Sequence, residues 1–198
     1  MVAKKVVFVC DACGYETFKW MGKCPRCGGW DTIREFKIDK AAESQEKKSP
    51  VIVSDDDITE ERVVLGIEEM DRILGGGLTT GSSILLGGDP GIGKTMLCFA
   101  IAARMVELGL NVLYVSGEES LKQLASRRKR LNLNGNFPIL ATNQLDDIIE
   151  AASGKAYDLV IIDSIQSVYN SSLPMLPGNV SQIKDVSSKL TMAMKSMD

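Results

Sequence analysis

The sequence predicts an α/β protein with a mostly parallel sheet, preceded by a small four-cysteine module. Two observations predict this architecture. From about residue 51 onward, apolar strand patterns alternate with amphipathic helix patterns, which is typical of parallel strands joined by helices on both faces of a sheet. Ahead of them, four of the five cysteines stand as two CxxC pairs. We therefore expect a module at 1–38, a polar linker at 39–50 and a core domain at 51–198.

The core domain is predicted from a regular succession of strand and helix patterns. Strands are expected at 83–86, 111–115, 138–141 and 159–162. Helices are expected at 94–108, 120–131, 145–152 and 180–197. The segments at 83–86 and 159–162 have the apolar pattern of buried strands, as a sheet covered on both faces requires.

Composition excludes several classes of protein. The formal net charge is −3 at pH 7, so only a local patch would attract a polyanion. The first apolar run is too short for a secretion signal or a membrane span, which predicts a cytoplasmic protein without membrane contact. The sequence has no histidine, so imidazole catalysis and histidine-containing zinc sites are excluded.

The paired cysteines predict a structural metal site. Their spacing in a chain without an export signal favours metal over disulfides. Four thiolates suit tetrahedral Zn²⁺ and leave no open position for water, so we expect one zinc ion per chain; an iron site of the rubredoxin kind and a disulfide pair are the alternatives. The predicted ligands are Cys10, Cys13, Cys24 and Cys27.

Two tryptophans lie in the same module. Trp20 and Trp30 are expected to cover its small core, and stacking on nucleobases is the alternative.

A phosphate-binding loop is the strongest functional signal in the sequence. It matches the pattern GxxxxGK[ST] in full and consists of Gly88, Asp89, Pro90, Gly91, Ile92, Gly93, Lys94 and Thr95. The loop follows a predicted strand and opens a predicted helix, which is the context that its mechanism requires. Backbone N–H groups would surround the phosphates, Lys94 would reach the β- and γ-phosphates, and the Thr95 hydroxyl would bind Mg²⁺. The loop predicts binding of ATP with Mg²⁺.

Acidic residues follow two of the predicted strands. Asp163 ends the apolar strand at 159–162 and is expected to hold Mg²⁺ through water, with a helix cap as the alternative. Glu118 and Glu119 lie just beyond the strand at 111–115, at the edge where ligands bind. We favour Glu118 as the residue that orients the attacking water and is thus catalytic together with Lys94, and the reverse assignment to Glu119 stays open.

Other sequence features narrow the class of nucleotide-binding protein. The chain has no NKxD-like element for guanine and no LSGGQ-like segment, which argues against a GTPase and against a transporter ATPase. The basic run at 127–130 is interpreted as a solvated helix face whose cations suit the helix dipole, with phosphate binding as the alternative.

Six motifs together carry a family resemblance. They are CDAC with CPRCGGW, GIEEMDRILGGGLTTGSSILLGGDPGIGKT, VLYVSGEES, LVIIDSIQSV and PGNVSQI. In this order, over nearly the whole chain, the sequence resembles the bacterial DNA-repair ATPases of the RadA (Sms) family, which are relatives of RecA. The resemblance implies a RecA-like core with Lys94 and Thr95 as nucleotide ligands, Asp163 as the magnesium aspartate and Glu118 as the catalytic glutamate.

The resemblance also implies a function. Members of the family form homo-hexamers that bind single-stranded or branched DNA and use ATP to drive strand exchange and branch migration, with a RecA-type recombinase as a further expected partner. The segment at 169–181 lies where RecA-like proteins place their first DNA-facing loop, and its proline, glycine and serine content suits a mobile loop. The alternative is a clock-like or signalling ATPase of the same fold that acts on protein partners.

The sequence departs from the family at its C-terminus. Family members continue with another strand, a second DNA loop, a KNRFG motif and a Lon-protease-like domain. We therefore interpret the chain as an N-terminal fragment. Its sheet would lack the strand between those carrying the phosphate loop and Asp163, which predicts exposed apolar surface, aggregation and poor ATP turnover.

Overall fold

The computed structural model describes residues 6–37, 61–131 and 135–196. The predicted linker at 39–50, and the predicted domain boundaries on either side of it, lie outside these ranges and stay predictions. The chain divides into two compact units, an N-terminal unit and a larger one that holds Glu60–Gly178 and Gln182–Asp198.

The N-terminal unit is built on a small antiparallel sheet. Strand β1 (Val6–Cys10) lies in the centre, between β2 (Glu16–Thr17) and β3 (Ile33–Lys37). One buried cluster consists of Cys10, Cys24 and Ile33, against which Phe8, Cys13, Tyr15 and Met21 pack. Val7 and Val9 are the other buried apolar residues among those described at 6–37, so the apolar core of this unit is small.

The larger unit contains the predicted parallel sheet. Strand β6 (Val112–Ser116) lies between β7 (Ile139–Ala141) and β8 (Leu159–Asp163), and all three run parallel. Every residue of β6 is buried, as expected for a central strand covered on both faces. The four predicted helices are present as α2 (Lys94–Glu107), α3 (Leu121–Leu131), α4 (Leu145–Ser153) and α5 (Val180–Lys195).

The helices cover both faces of this sheet, as predicted. On one face, Tyr114 of β6 packs with Phe99 of α2, whose ring centroid lies 4.6 Å away, and with Leu124 of α3. On the other face, Val115 packs with α4 and α5 residues, including Ile148 and Val186. Because successive side chains of a strand point to opposite faces, the two apolar clusters follow from the unbroken apolar run of β6.

Three short elements precede the phosphate loop and were not predicted. Helix α1 (Glu68–Ile73) lies between β4 (Arg62–Val63) and β5 (Leu78–Thr79), which pair with each other. A Cβ atom at Gly77 would lie 2.4 Å from the Val63 carbonyl oxygen, and its φ of 136° is unfavourable for other residues. The glycine run before β5 is therefore a steric requirement of this pairing.

The structure does not support the strand predicted at 83–86. Residues 82–89 have no regular secondary structure, and Ile84 and Leu85 are 52% and 85% exposed. Among the described residues, no strand pairs with this segment. An extended segment without neighbours has no partners for its backbone groups and no surface against which to bury its side chains.

Within the described ranges, no helix is long and apolar enough to cross a bilayer.

Candidate metal site and nucleotide site

Two matching turns hold the four cysteines. In each turn, a glycine N–H donates to the carbonyl oxygen of the first cysteine of the pair: Gly14 to Cys10 at 2.8 Å and Gly28 to Cys24 at 2.9 Å. Both glycines have positive φ, 69° and 74°, a conformation that favours glycine. The glycine after each CxxC pair thus closes a tight turn beside the sulfurs.

The four sulfur atoms lie together in one cluster. All of them are within 4.8 Å of one another, and the Cys10–Cys27 and Cys13–Cys24 Sγ distances are 3.7 Å and 3.6 Å. A tetrahedral ion with Zn–S bonds of about 2.3 Å would separate its sulfurs by about 3.8 Å. The cluster therefore has the dimensions of a four-thiolate zinc site, and disulfide bonds are absent from it.

The thiols of this cluster titrate differently. Burial raises the pKa of Cys10, but hydrogen bonds with the Thr32 side chain and the backbone of Cys13 and Ala12 outweigh burial and lower the pKa to about 6. Burial raises the pKa of Cys13 to about 12. A coordinated metal deprotonates its thiol ligands, so a bound Zn²⁺ would hold all four as thiolates.

The tryptophans do not cover the core of this unit, contrary to prediction. Trp20 and Trp30 are 62% and 71% exposed. The space that they were expected to fill is occupied by the sulfur cluster and Ile33. The exposure of the two tryptophans has no signal in the sequence pattern, because clustered cysteines here take the core positions that aromatic residues often fill in a small module.

The phosphate loop folds as its sequence requires. Gly93, at the N-cap of α2, has a φ of 107°, and Gly91 has a φ of 79°. A Cβ atom at either glycine would meet no protein atom within 4 Å. Lys94 and Thr95 form the first turn of α2, whose N–H groups have no partner within the helix. The loop therefore has the open space and the N–H donors that a triphosphate needs.

The ammonium group of Lys94 lies across this loop. Its Nζ donates to the carbonyl oxygens of Gly88 and Asp89, at 2.7 Å and 2.8 Å. These bonds use two of its three hydrogens, and the third is directed to no acceptor among the described residues. The Lys94 side chain, which would contact phosphate, thus joins the last part of the loop to its first two residues. Pro90 and Ile92 lie on its exposed outer part.

Asp163 lies at the edge of the sheet nearest to α2. It ends β8, opposite Ser116 of β6, and its Oδ2 accepts a 2.7 Å hydrogen bond from the Tyr114 hydroxyl. Burial, together with this bond, raises the pKa of Tyr114 far above its usual range, so the phenol stays a donor. Burial and the Asp163 charge raise the pKa of Cys98 to about 11. Cys98 lies on α2 after Lys94 and Thr95, and β8 contacts this helix.

The two glutamates after β6 have different surroundings. Glu118 is exposed and accepts a 2.5 Å hydrogen bond from Ser164, the residue next to Asp163. Glu119 is half-buried and forms a two-point ion pair with Arg127 of α3. Both Glu119 carboxylate oxygens accept hydrogen bonds from the guanidinium, which leaves them less free to bind a water molecule. The geometry therefore favours Glu118 over Glu119 as the residue that orients water.

The basic run at the end of α3 is partly used within the protein. Arg127 pairs with Glu119, and Arg128 donates to Asn136 at 2.6 Å and lies over the Phe137 ring. Two of the four cations, Arg127 and Arg128, thus bind groups of their own unit. This agrees better with an ordinary helix face than with a phosphate-binding patch.

A buried amide that the sequence analysis missed fixes the segment expected to be a DNA-facing loop. The side chain of Gln182 is fully buried. It accepts from the Asn170 backbone at 2.9 Å and donates to the carbonyl of Met175 at 2.8 Å. Asp185 binds the Asn170 side chain at 2.7 Å. The start of this segment is therefore anchored to α5. In the sequence, only the polar residues within the PGNVSQI motif could have indicated this anchoring.

Two protein families match separate parts of the chain. A zinc-ribbon family described as a rubredoxin metal binding domain matches residues 8–35, and the family described as KaiC matches residues 63–155. The larger unit is also similar in structure to a KaiC-like protein from Pyrococcus horikoshii, with a TM-score of 0.58 and 24% identity over 70% of this chain and 67% of that one. The flagellar accessory protein FlaH from Methanocaldococcus jannaschii gives a TM-score of 0.52 and 21% identity over 69% and 67%. These two likenesses show the fold.

Fold and sites together define a P-loop ATPase domain of the RecA and KaiC type joined to a zinc ribbon, with ATP, Mg²⁺ and Zn²⁺ as its cofactors. The sequence is 40% identical to DNA repair protein RadA of Bacillus subtilis over 96% of this chain. It is 41% identical to RadA of Halalkalibacterium halodurans over 93%, and 41% identical to RadA of Listeria monocytogenes over 92%. The chain belongs to the RadA family of bacterial DNA repair proteins.

The match covers only part of each relative. The chain spans 44%, 43% and 42% of the lengths of these three proteins.

Proposed function

We propose that this chain is the zinc-ribbon and ATPase part of a DNA repair protein that hydrolyses ATP. One observation carries the proposal: Lys94 closes the phosphate loop, while Glu118 and Asp163 meet, through Ser164, at the ends of neighbouring parallel strands. Ligands bind at this edge of a parallel sheet.

In this proposal each residue has one task. The loop N–H groups and the Lys94 ammonium bind the β- and γ-phosphates. Thr95 and Asp163 would hold Mg²⁺, which neutralises charge on the phosphates as it develops. Tyr114 donates to Oδ2 of Asp163, so the other carboxylate oxygen would be the one available to the ion or its water. Glu118 orients the attacking water and accepts its proton.

The DNA part of the proposal is supported by the relatives' names. Single-stranded or branched DNA would be the partner, and ATP hydrolysis would promote strand exchange and branch migration during recombination. A homo-hexamer, a RecA-type recombinase as a further partner and a cytoplasmic location belong to the same proposal. The anchored segment at 169–178 would transmit the state of the nucleotide from Asp163 toward DNA, because it lies between β8 and α5.

The match of residues 63–155 to the KaiC family supports a second candidate, a clock-like or signalling ATPase with protein partners. Single-stranded DNA separates the two. The DNA repair function requires that oligonucleotides stimulate ATP hydrolysis and that their binding weakens with rising salt. An ATPase indifferent to DNA under these conditions, both in this chain and in the longest form of the protein, would favour the second candidate.

The two glutamates provide a matched pair of variants. Glu118→Gln is expected to lower the turnover number for ATP by about 100-fold or more, because it removes the proton acceptor, and to leave ATP affinity nearly unchanged. Glu119→Gln is expected to destabilise the fold by about 1 kcal/mol through loss of the Arg127 pair and to change turnover little. Single-turnover hydrolysis and thermal unfolding measure both effects. The opposite pattern would move the catalytic role to Glu119.

A further inference from the structure

The exposed aromatic and basic stretch at 18–30 of the zinc ribbon is the most unusual surface of the described residues. Phe18, Trp20 and Trp30 are each more than 60% exposed. Large aromatic side chains normally contribute most of a small core, yet the buried residues here are two cysteines, two valines and Ile33. Exposed rings in such number indicate a binding surface rather than a packing need.

The two indoles lie beside the same short ladder. Lys23 and Trp30 form an antiparallel bridge. The tip of the Trp20 ring lies 3.7 Å from where a Cβ on Gly22 would be, and Gly22 accepts a 2.8 Å hydrogen bond from the Asp31 backbone. Trp20 thus lies beside Gly22, and Trp30 is the bridge partner of the next residue, Lys23.

The charges of this stretch have one sign. Lys19, Lys23 and Arg26 are exposed, and no aspartate or glutamate lies between residues 18 and 30, although the chain as a whole is acidic. The Lys23 ammonium lies 5.4 Å from the centre of the Trp30 ring. A cation beside a ring places a phosphate contact next to a stacking contact, which is how proteins bind single strands without reading sequence.

We propose that the Trp20, Trp30 and Lys23 surface of the zinc ribbon binds single-stranded nucleic acid by base stacking. The exposed apolar atoms here belong mainly to rings rather than to aliphatic chains, which favours bases over a protein groove. This stretch has only three cations, Lys19, Lys23 and Arg26, and four thiolates around Zn²⁺ would add negative charge to the unit, so stacking is expected to contribute more than phosphate contacts. The inference deepens the proposed DNA function, and rests on it, by adding a contact surface outside the ATPase unit.

Tryptophan fluorescence tests this directly, because Trp20 and Trp30 are the only tryptophans in the sequence. Their emission reports on the N-terminal unit alone. Adding oligo(dT) of 15 nucleotides to the zinc-loaded chain, without ATP, is expected to quench the emission saturably. The affinity should fall only about 20-fold between 50 and 200 mM NaCl, as three phosphate contacts imply. Oligo(rU) serves as a second probe: equal quenching assigns the surface to single strands in general, and weaker quenching assigns it to DNA.

Substitutions identify the stacking rings. Trp30→Ala, read through Trp20, and Trp20→Ala, read through Trp30, are each expected to weaken binding about 5- to 150-fold. Trp30→Phe is expected to retain most of the affinity because a phenyl ring also stacks. Ile73→Ala removes a side chain of similar exposure, 70%, from the other unit and should have no effect. Zinc content measured for each variant verifies that the ribbon is folded.

Four outcomes would overturn the proposal. The first is unchanged emission with an oligonucleotide that fluorescence anisotropy shows to be bound, which leaves the proposed DNA function intact and moves its contacts elsewhere. The second is full affinity in Trp30→Ala and Trp20→Ala. The third is emission that changes with protein concentration but not with oligonucleotide, which would assign the surface to contacts between copies of this chain. The fourth is absence of any binding by either method, which would refute the proposed DNA function as well if the longest form of the protein also failed to bind.

Discussion

Replacing Lys94 by alanine is expected to lower ATP affinity at least about 10-fold and turnover at least about 100-fold. The first effect follows from losing hydrogen bonds between an ammonium and phosphate oxygens, each contributing about 1.5–3 kcal/mol. The second follows from losing a cation that stabilises charge on the transferring phosphoryl group. The loop itself would also loosen, because Lys94 ties the carbonyls of Gly88 and Asp89 together. Calorimetric titration with ATP and Mg²⁺, followed by single-turnover hydrolysis, measures the two effects separately.

The control for this variant is another lysine of the same unit. Lys155→Ala removes a cation that lies over the Tyr157 ring and should leave ATP binding unchanged. Retention of wild-type affinity by Lys94→Ala would contradict the assignment of this loop to nucleotide binding.

Replacing Cys24 by serine is expected to abolish zinc binding and to unfold the N-terminal unit. Cys24 is buried, is one of the four clustered cysteines, and packs with Cys10 and Ile33 in the buried cluster of this unit. Structural zinc contributes roughly 10–16 kcal/mol to the folding of small four-ligand modules, far more than Ile33 and its neighbours can supply. Elemental analysis should change from one zinc per wild-type chain to near zero. Limited proteolysis should then cut within 6–37 and spare the larger unit.

The fifth cysteine supplies the matched control. Cys98 lies on α2, in the ATPase unit, and is not part of the cluster. Cys98→Ser should therefore retain one zinc. Iron in the wild-type protein, or a ribbon that stays protected after chelation, would contradict the zinc assignment.

The sequence predicted most elements whose pattern is local. Helix α2 begins where the GK[ST] signature places it. Strand β6 ends two residues before Glu118, and β8 ends at Asp163 itself. The cysteine spacing predicted the metal cluster because each CxxC turn is closed by its own glycine. These features depend on neighbours within a few residues, so they could be predicted without knowing how the chain folds back on itself.

Other features depend on contacts between distant residues, and they were missed or predicted wrongly. The segment at 83–86 has the composition of a buried strand, but a strand also needs a partner, and the described residues supply none. Trp20 and Trp30 were expected to be buried, because aromatic composition does not show that cysteines already fill the core. The anchoring of Asn170 by Gln182 joins residues twelve positions apart and has no periodic signal.

By itself, the sequence predicted the phosphate loop, the four clustered cysteines and the order of strands and helices from α2 onward, because each is set by spacing along the chain. Only the tertiary structure showed that Glu118 and Glu119 have different surroundings, since Glu118 accepts from Ser164 at the end of the neighbouring strand and Glu119 pairs with Arg127 of α3. It alone also showed that both indoles of the zinc ribbon face solvent. Exposure and charge pairing depend on residues that folding brings together, so they could not be predicted from spacing along the chain.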